Sequence, residues 1–196
     1  MNPIAVSPQL RMVWPELLLS APPAAPLAAG YALRTYRPGD ERRFYDIMAL
    51  AGWPHWDDER LAPCLSRILP EGWFMAVHRE SGAIVATAMA VHNYTGRCSF
   101  WGDVGWVAGD PAHSGRGLGM AVVAAATARL IEAGYRQIQL HTEDWRLAAL
   151  KIYLELGYVP SLYTRAMPAR WRVVCAQLGW PFTPDEWRAR DIPVGH

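Results

Sequence analysis

Apolar and polar positions alternate in the middle of the chain as they do in β-strands. Residues 73–78 and 84–92 predict two strands, and residues 79–82 between them predict a hairpin turn in which Gly82 takes a positive φ. Residues 100–109 form a third apolar run. The pattern therefore predicts a hairpin followed by a further strand at the centre of the fold.

Helical spacing flanks this region. Residues 40–51 place apolar side chains three and four positions apart and stop at Gly52, which predicts a helix. Residues 57–69 predict a second, short helix that Pro63 interrupts. The other predicted elements are, in chain order, a short extra strand over 10–14, a strand over 31–37, a long helix that follows a glycine-rich turn and ends at residue 133, a strand over 137–142, a helix over 145–156, a strand over 158–163 and a helix over 168–178. The final residues are predicted to be irregular.

Strands and helices alternate in the second half, whereas hairpin strands occupy the middle. This order predicts the α/β class, with a mixed, mostly antiparallel central sheet and helices on both faces. Prolines and alanines dominate residues 21–30, which predicts a linker. We expect an N-terminal extension over 1–30, a main domain over 31–163 and a C-terminal helical extension over 164–196.

Composition limits the classes of function. The chain has 196 residues, 52% of them hydrophobic, which suits one globular domain with a sizeable core. Its net charge of +1 gives no basic excess for binding nucleic acid. The three cysteines, Cys64, Cys98 and Cys175, are odd in number and far apart, so neither a disulfide framework nor a zinc site is expected. We predict a cytoplasmic protein with no metal and no nucleic-acid partner.

The first thirty residues do not predict a targeting signal. The apolar run at 17–19 is much shorter than the roughly 7–15 residues of a signal peptide, and Glu16 and several prolines interrupt the pattern. No run approaches the about 20 apolar residues of a membrane span. We therefore expect a soluble, intracellular protein with no membrane partner.

The most informative segment for function lies between the third strand and the long helix. Residues 110–120 read Asp-Pro-Ala-His-Ser-Gly-Arg-Gly-Leu-Gly-Met. Glycines permit positive φ and close approach of the backbone to a ligand. The first N–H groups of a helix lack internal acceptors, and the helix dipole adds positive potential there. The segment therefore predicts a site for a phosphate or a diphosphate.

Two other phosphate-binding motifs fit this segment poorly. A P-loop requires Lys-Ser or Lys-Thr after its last glycine, where this chain has Met120. A dinucleotide fingerprint requires GxGxxG, whereas residues 115–119 follow GxGxG. A glycine turn that only packs, and a mononucleotide site on a Rossmann-like sheet, remain alternatives.

Residues 107–111 and 115–119, Val-Ala-Gly-Asp-Pro and Gly-Arg-Gly-Leu-Gly, resemble motif A of the GNAT acetyltransferase superfamily. Family members carry R/Q-x-x-G-x-G/A at the head of a long helix, just after a strand that holds the acetyl and pantetheine groups. The resemblance implies that the thioester arm of acetyl-CoA lies along Val107, Ala108 and Gly109.

The same resemblance implies where the diphosphate of the coenzyme binds. The leading Arg or Gln of the motif falls on Ser114, and Arg116 is the candidate to supply the missing cation. Backbone amides supply most of the contacts in the motif. The implied diphosphate-binding residues are Gly115, Arg116, Gly117, Leu118, Gly119 and Met120.

Residues 146–158 resemble motif B of the same family, N-x-x-A-x-x-x-Y-x-x-x-G-F. Arg146 replaces the motif's Asn and is carried over as a candidate contact to coenzyme A. The two motifs together imply the GNAT acyl-CoA N-acyltransferase fold over about residues 31–163, with acetyl-CoA as co-substrate. The matching positions of motif B are Ala149, Tyr153, Gly157 and Tyr158.

Acetyl transfer to an amine requires two proton movements. An alkyl ammonium has a pKa of about 10.4, so only about one amine in 2,500 is neutral at pH 7 and a base must help. At the other end a thiolate leaves, and a phenol with a pKa of about 10 is able to protonate it. Because motif B places its tyrosine near the sulfur, Tyr153 is the candidate acid. A core tyrosine on an amphipathic helix is the alternative.

Asp103 is the candidate base. It lies four residues before Val107 on the same predicted strand, and strict alternation directs both side chains to one face. Trp101 and Trp106 flank it and are expected to desolvate it, with a turn residue as the alternative. Reserve candidates follow the next strand, namely His141, Glu143 and Asp144.

Residues 53–58, Trp-Pro-His-Trp-Asp-Asp, fall in a loop that often lines the acceptor pocket in this family. Its two tryptophans and two acids are candidates to hold a cationic amine, with a solvated loop as the alternative. His78 and His92 lie on neighbouring strands without a third ligand, so they do not predict a metal site.

We therefore expect an N-acetyltransferase that moves an acetyl group from acetyl-CoA to a primary amine by direct attack in a ternary complex. No cysteine occupies a recognisable nucleophile position. The acceptor is a small-molecule amine or a peptide. The alternative is a non-catalytic acyl-CoA-binding or regulatory module. The terminal segments outside the resemblance either cover the site or form a homodimer.

Overall fold

A computed structural model describes residues 8–93 and 100–190. Its centre is a seven-stranded sheet. The strands are β1 (Leu10–Val13), β2 (Tyr31–Thr35), β3 (Ile68–His78), β4 (Ile84–His92), β5 (Trp101–Gly109), β6 (Gln137–Thr142) and β7 (Val159–Pro160). The helices are α1 (Glu41–Leu50), α2 (Asp58–Leu65), α3 (Leu118–Glu132), α4 (Leu147–Leu156), α5 (Met167–Leu178) and α6 (Pro184–Arg190).

The strand order across the sheet is β2-β3-β4-β5-β6-β1-β7. Every neighbouring pair is antiparallel except β5 and β6, which run parallel because α3 connects them. The prediction of a mixed, mostly antiparallel sheet in an α/β fold is therefore confirmed.

Helices cover both faces of the sheet, as predicted, and each face has its own apolar core. On one face α1 and α2 pack Phe44, Ile47 and Leu61 against the sheet. On the other face α3 packs Val122 and Leu130 in a cluster that includes alanines of β4. The small side chains on both elements let α3 lie close to the sheet. The alanines that share this cluster are Ala76, Ala86, Ala88, Ala90 and Ala126.

The predicted extra strand exists and lies inside the sheet. β1 pairs with β6 on one side and with β7 on the other, although both of those strands come more than a hundred residues later in the chain. Trp14, which follows β1, is 1% exposed and packs edge-on against Tyr158 at 5.0 Å between ring centroids. The domain boundary after residue 30 stays a prediction, but the strand before it belongs to the central sheet.

Two predicted elements near the C-terminus differ from the structure. The strand expected over 158–163 is only Val159–Pro160, which pairs with β1 at the edge of the sheet. The final residues, expected to be irregular, include helix α6. Its start follows a familiar sequence signal, since Pro184 stands at the first position and acidic residues follow in the first turn.

Replacement of Trp14 tests whether the N-terminal segment belongs to the folding unit. Trp14→Ala is expected to lower the free energy of unfolding by about 3–5 kcal/mol, as for other buried aromatic residues. Leu17→Ala is the control, because Leu17 is 65% exposed, and it should change stability by less than about 0.5 kcal/mol. Urea denaturation followed by circular dichroism measures both. Equal stabilities for the two variants would show that the segment is an appendage.

Candidate active site

β5 and β6 run parallel but pair only where they begin. Residues 101–103 lie opposite residues 137–139. β5 continues to Gly109 and β6 to Thr142, so their later residues do not pair with each other. The two strands diverge beyond this short ladder, and the backbone edges that face each other are available to a ligand.

A β-bulge lies in β5 just beyond the point of divergence. The register with β4 shifts between Gly105 and Ala108, and Trp106 has a left-handed φ of 51°. The extra residue offsets the alternation of side chains by one position. The expectation that Asp103 and Val107 share a face is therefore wrong: in the register with β4, Asp103 shares its face with Gly105 and Ala108.

A cavity of about 830 Å³, called here the larger cavity, lies between the glycine-rich turn and α4. Most of its wall comes from the end of β5, the turn into α3 and α4, and Ala51, Val85 and Ala86 complete it. Every residue that the sequence assigned to coenzyme binding lines this cavity. These residues are Val107, Ala108, Gly109, Ser114, Gly115, Arg116, Gly117, Leu118, Gly119, Met120 and Arg146.

The turn presents free backbone amides to this cavity. The first hydrogen bond of α3 runs from the Ala121 N–H to the Gly117 carbonyl oxygen at 3.0 Å, so the N–H groups of residues 118–120 have no acceptor within the helix. Gly115 and Gly117 have φ values of 73° and 70°, and a Cβ on either would meet no atom within 4 Å. These glycines are needed for backbone conformation, and the space before the amides is open.

Gly119 has a different role from the two glycines before it. A Cβ at this position would lie 2.9 Å from Cδ1 of Ile152 on α4. Its absence lets α3 and α4 pack closely on the side of the larger cavity. The glycine pattern of the motif thus combines two conformational positions with one packing position.

Ser114 and Arg116 stand on the rim of the larger cavity. Ser114 is exposed and ends a short 3₁₀ turn over Pro111–His113. Arg116 is also exposed, and its guanidinium donates a hydrogen bond to the hydroxyl of Tyr31. The guanidinium is therefore positioned by a buried side chain.

Arg146 is the N-cap residue of α4, and it lines both the larger cavity and a second cavity described below. Its guanidinium donates to Glu143 at 2.6 Å and to the Ala51 carbonyl at 3.0 Å. It also stacks on the rings of Trp53 and Trp145, at 4.5 and 4.2 Å from the ring centroids. Arg146 thereby ties the loop after α1 to the start of α4, a role that the asparagine of motif B would not fill.

A second, smaller cavity of about 290 Å³ lies in the opening between β5 and β6. It shares Val107, Arg146 and Ala149 with the larger cavity. Both residues predicted to move protons, Asp103 and Tyr153, line it. The structure therefore brings the two together although they are fifty residues apart in the chain.

Tyr153 and Asp103 are both buried. Tyr153 is 4% exposed, and burial raises the pKa of its phenol well above the usual range. Asp103 is 3% exposed and accepts a hydrogen bond from the side-chain amide of Gln139 at 2.9 Å. His141 lies beside it, with Nδ1 at 3.9 Å from the carboxylate. Burial first, and then the nearby Arg11 charge, lowers the pKa of His141 from 6.5 to about 4, and these outweigh the carboxylate.

The two reserve acids are held in ion pairs. Glu143 lines the smaller cavity, but it pairs with Arg146 at 2.6 Å and accepts from Gln9 at 2.7 Å. Asp144 forms a bidentate pair with Arg170, and the hydrogen bonds from this guanidinium hold the pKa of the carboxyl below its usual value. These ion pairs stabilise the charged form of both carboxylates and so weaken them as bases.

The tryptophan-rich loop contributes one ring to the smaller cavity. Trp53 lines it, whereas Trp56 is buried against Phe44. The two acids of the loop have other partners: Asp57 caps α2, and Asp58 accepts a hydrogen bond from Tyr45. Trp53 and Asp103 therefore line the same cavity, whereas the two loop acids do not.

Sequence reasoning missed Gln139 and Gln9, which both reach this site. Gln139 breaks the apolar pattern of a buried strand, because it is 3% exposed between Ile138 and Leu140, and this mismatch was a readable signal. Gln9 carries no such signal, because only the insertion of β1 beside β6 brings it near Glu143.

The structure bears on metal ligands and on membrane-spanning helices only over the residues that it describes. Over residues 8–93 and 100–190, no three His, Cys, Asp or Glu side chains are grouped closely enough to hold a metal ion. Within the same ranges, no helix has the length and apolar character needed to cross a membrane. Cys64 and Cys175 are free and buried, while Cys98 lies outside the described residues.

Comparison with known proteins agrees with this geometry. Residues 35–158 match the model of the acetyltransferase (GNAT) family. The chain is 30% identical over 152 residues to a mycothiol acetyltransferase of Sanguibacter keddieii, which covers 69% of this chain and 46% of that protein. It is 32% identical over 157 residues to the mycothiol acetyltransferase of Amycolatopsis mediterranei, covering 74% and 49%. The chain thus spans about half the length of these relatives.

Solved structures show the same fold. A GCN5-related N-acetyltransferase from Sphaerobacter thermophilus superimposes with a TM-score of 0.62 at 29% sequence identity, covering 79% of this chain and 50% of that one. The ribosomal-protein-S18-alanine N-acetyltransferase of Escherichia coli gives a TM-score of 0.53 at 21% identity, over 65% and 76% of the two chains. The family match spans more than half of the chain and contains both motifs, so this chain belongs to the GNAT acetyltransferase family.

Proposed function

We propose that this chain transfers an acetyl group from acetyl-CoA to a primary amine by direct attack. The supporting observation is the junction of the two cavities, where Val107, Arg146 and Ala149 belong to both walls. A thioester that enters along the end of β5 meets, at this junction, an amine held beside Asp103 and Tyr153. Two reactants placed in adjoining cavities gain the advantage of proximity without a covalent enzyme intermediate.

The donor is held mainly by the backbone in this proposal. The amides of residues 118–120 face the diphosphate, and the positive end of the α3 dipole adds to the attraction. The open edge of β5 after the bulge accepts the amides of the pantetheine arm. The thiol product leaves through the larger cavity.

Tyr153 protonates the departing sulfur. The amine nitrogen bonds to the carbonyl carbon, the bond from that carbon to sulfur breaks, and the sulfur takes the phenol proton. The raised pKa keeps the phenol protonated at neutral pH, so the donor form is always present. The tyrosinate then regains a proton, either from solvent or from the proton that the amine has released, and this completes the cycle.

Asp103 accepts a proton from the attacking amine. It lines the smaller cavity, whereas Glu143 is paired with Arg146 and Asp144 is paired with Arg170. His141 with a pKa of about 4 is neutral at pH 7 and is a weak base. Gln139 holds the carboxylate in place from the neighbouring strand.

The size of the smaller cavity bears on the acceptor. A volume of about 290 Å³ suits a small amine or the terminal amine of a longer molecule better than an internal segment of a folded protein. Trp53 offers an aromatic face to a cationic or apolar group. The curated relatives are named mycothiol acetyltransferases, so amines related to mycothiol are one acceptor class to include. A cytoplasmic location and a homodimer stay predictions.

An assay of thiol release over a panel of amines tests the proposal. The panel spans alkyl and aromatic amines, amino sugars, amines related to mycothiol and peptide N-termini, each with acetyl-CoA. Amine-dependent release of free thiol supports an acetyltransferase. Tight binding of acetyl-CoA without turnover on any acceptor would instead support a non-catalytic binding module.

Loss of the Tyr153 hydroxyl should slow the chemical step. Tyr153→Phe is expected to lower kcat by about tenfold or more with little change in KM for acetyl-CoA, because the hydroxyl acts only as sulfur departs. Tyr158→Phe is a matched control, since Tyr158 is equally buried but bonds to Thr127 at 2.8 Å inside the core. Unchanged turnover in Tyr153→Phe would remove its role.

Replacement of Asp103 should change the pH dependence of the reaction. In the wild type, kcat/KM rises with pH as the base loses its proton, and Asp103→Asn should remove this acidic limb together with most of the rate. The isosteric amide keeps the packing at the site. A retained acidic limb would assign the base to another group, and Glu143→Gln is the variant to measure next.

His141 should make the fold sensitive to acid. Its pKa is about 4 in the folded chain and about 6.5 unfolded, so the unfolded state binds more protons between these values. The contribution of His141 to the free energy of unfolding is complete above pH 6.5. It is lost as the pH falls toward 4, by about 3 kcal/mol at most. His141→Asn should flatten the profile of unfolding free energy between pH 7 and pH 4.5, with the exposed His55→Asn as control. Parallel profiles for wild type and His141→Asn would contradict the assignment.

A further inference from the structure

Four polar side chains gather beside the glycine-rich turn, at the rim of the larger cavity. They are Tyr31 at the start of β2, His78 at the end of β3, His113 in the 3₁₀ turn and Arg116 in the glycine-rich turn. The ring of Tyr31 lies 5.2 Å from that of His78 and 5.8 Å from that of His113, and the two histidine rings are 5.1 Å apart. We call these four residues the entrance cluster. His113 and Arg116 also line the cavity itself.

The hydrogen bonds of the entrance cluster fix its polarity. Arg116 has only donors, so the Tyr31 oxygen accepts from its guanidinium. The hydroxyl proton of Tyr31 is then directed to His113 Nδ1, at 2.8 Å. With Nδ1 as acceptor, the neutral ring carries its proton on Nε2. The cluster therefore offers two kinds of donor to a ligand, a guanidinium and an imidazole N–H.

The cluster is preformed because its central residue is buried. Tyr31 is 5% exposed, and its ring packs with the core of the α3 face. Its hydroxyl holds both Arg116 and His113, which come from the exposed turn. A fixed arrangement of donors costs less conformational entropy on binding than flexible surface side chains do.

The positive charge of the cluster is not neutralised within the described residues. No carboxylate there forms an ion pair with Arg116. Asp110 interacts electrostatically with His113, but its carboxylate is taken by Arg43 at 2.6 Å and by the Ala112 amide at 2.9 Å. Donors with an excess of positive charge at a cavity mouth are suited to an anion.

Coenzyme A carries a second phosphate besides its diphosphate, the monoester on the 3′ carbon of the ribose. The amides of residues 118–120 already provide for the diphosphate, and the entrance cluster adds side-chain donors at the rim. We propose that the entrance cluster binds the 3′-phosphate, so that the protein distinguishes coenzyme A from 3′-dephospho-coenzyme A. This inference rests on the proposed function, because it requires the coenzyme to occupy the larger cavity.

Lys151 is the competing cation on the wall of the larger cavity. It is the one lysine of the chain and projects from α4, with its side chain 58% exposed and Glu155 at 3.8 Å. No buried group holds its ammonium in place, and a carboxylate already partners it. The entrance cluster is better organised for a dianion. The two candidate sites also differ in the variant, at Arg116 or at Lys151, that should lose discrimination between coenzyme A and 3′-dephospho-coenzyme A.

Calorimetric titration with coenzyme A and with 3′-dephospho-coenzyme A tests the inference on the full chain. The wild type should bind coenzyme A about tenfold or more tightly, since charge-assisted hydrogen bonds to the phosphate are absent in the other ligand. Arg116→Ala should bring the ratio of the two dissociation constants close to one, because affinity for coenzyme A falls much more than affinity for the dephospho ligand. Tyr31→Phe keeps the buried ring and should reduce the ratio through loss of the positioning hydroxyl.

Each other outcome has a distinct meaning. Equal binding of the two ligands by the wild type would overturn the 3′-phosphate site while leaving the proposed function intact. Equal weakening of both ligands in Arg116→Ala would mean that the arginine contacts the diphosphate, and would also overturn it. Loss of discrimination in Lys151→Met, with discrimination retained in Arg116→Ala, would transfer the site to α4. Binding of neither ligand would remove the proposed function and this inference together.

Discussion

The divergence of β5 and β6 is the constraint on which the site depends. Their parallel ladder ends at Asp103 and Gln139, and beyond it neither strand satisfies the backbone groups of the other. A bulge turns β5 further at this point. Such an opening in the middle of a sheet would ordinarily cost stability, since unpaired buried amides and carbonyls are unfavourable. Here the opening becomes the cavity, and a bound ligand is able to satisfy the edges.

The rest of the fold holds this opening in place from both sides. On the β5 side, α3 packs closely through alanines and through Gly119, so that its N-terminus is fixed at the end of β5. On the β6 side, β1 pairs along the strand from Thr142 to Gln139. The N-terminal segment therefore supports the free half of β6, and Trp14 anchors that segment in the core.

Several charged side chains around the site form ion pairs, and this limits which groups are available for acid–base chemistry. Arg146 neutralises Glu143, and Arg170 neutralises Asp144. Burial keeps His141 neutral and keeps the phenol of Tyr153 protonated at pH 7. A protonated phenol and a carboxyl group thus line one cavity, which suits the proposed acetyl transfer to an amine.

Local sequence determined the hairpin, the glycine-rich turn and the helix after it, because alternation, glycine and unpaired helix amides act over a few residues. It also indicated most of the residues that line the larger cavity, since most lie in two contiguous motifs, whereas Ala51, Val85 and Ala86 come from elsewhere in the chain. Tertiary structure alone decided the rest. The bulge at Trp106 reversed the expected facing of Val107, and β1 entered the sheet between strands far away in sequence. Gln9 and Tyr31 joined sites that no local pattern indicates. The polar Gln139 in a buried strand was a local signal, but only the sheet placed it beside Asp103. Register shifts and long-range strand pairing depend on the energy of the whole sheet, so no short stretch of sequence encodes them.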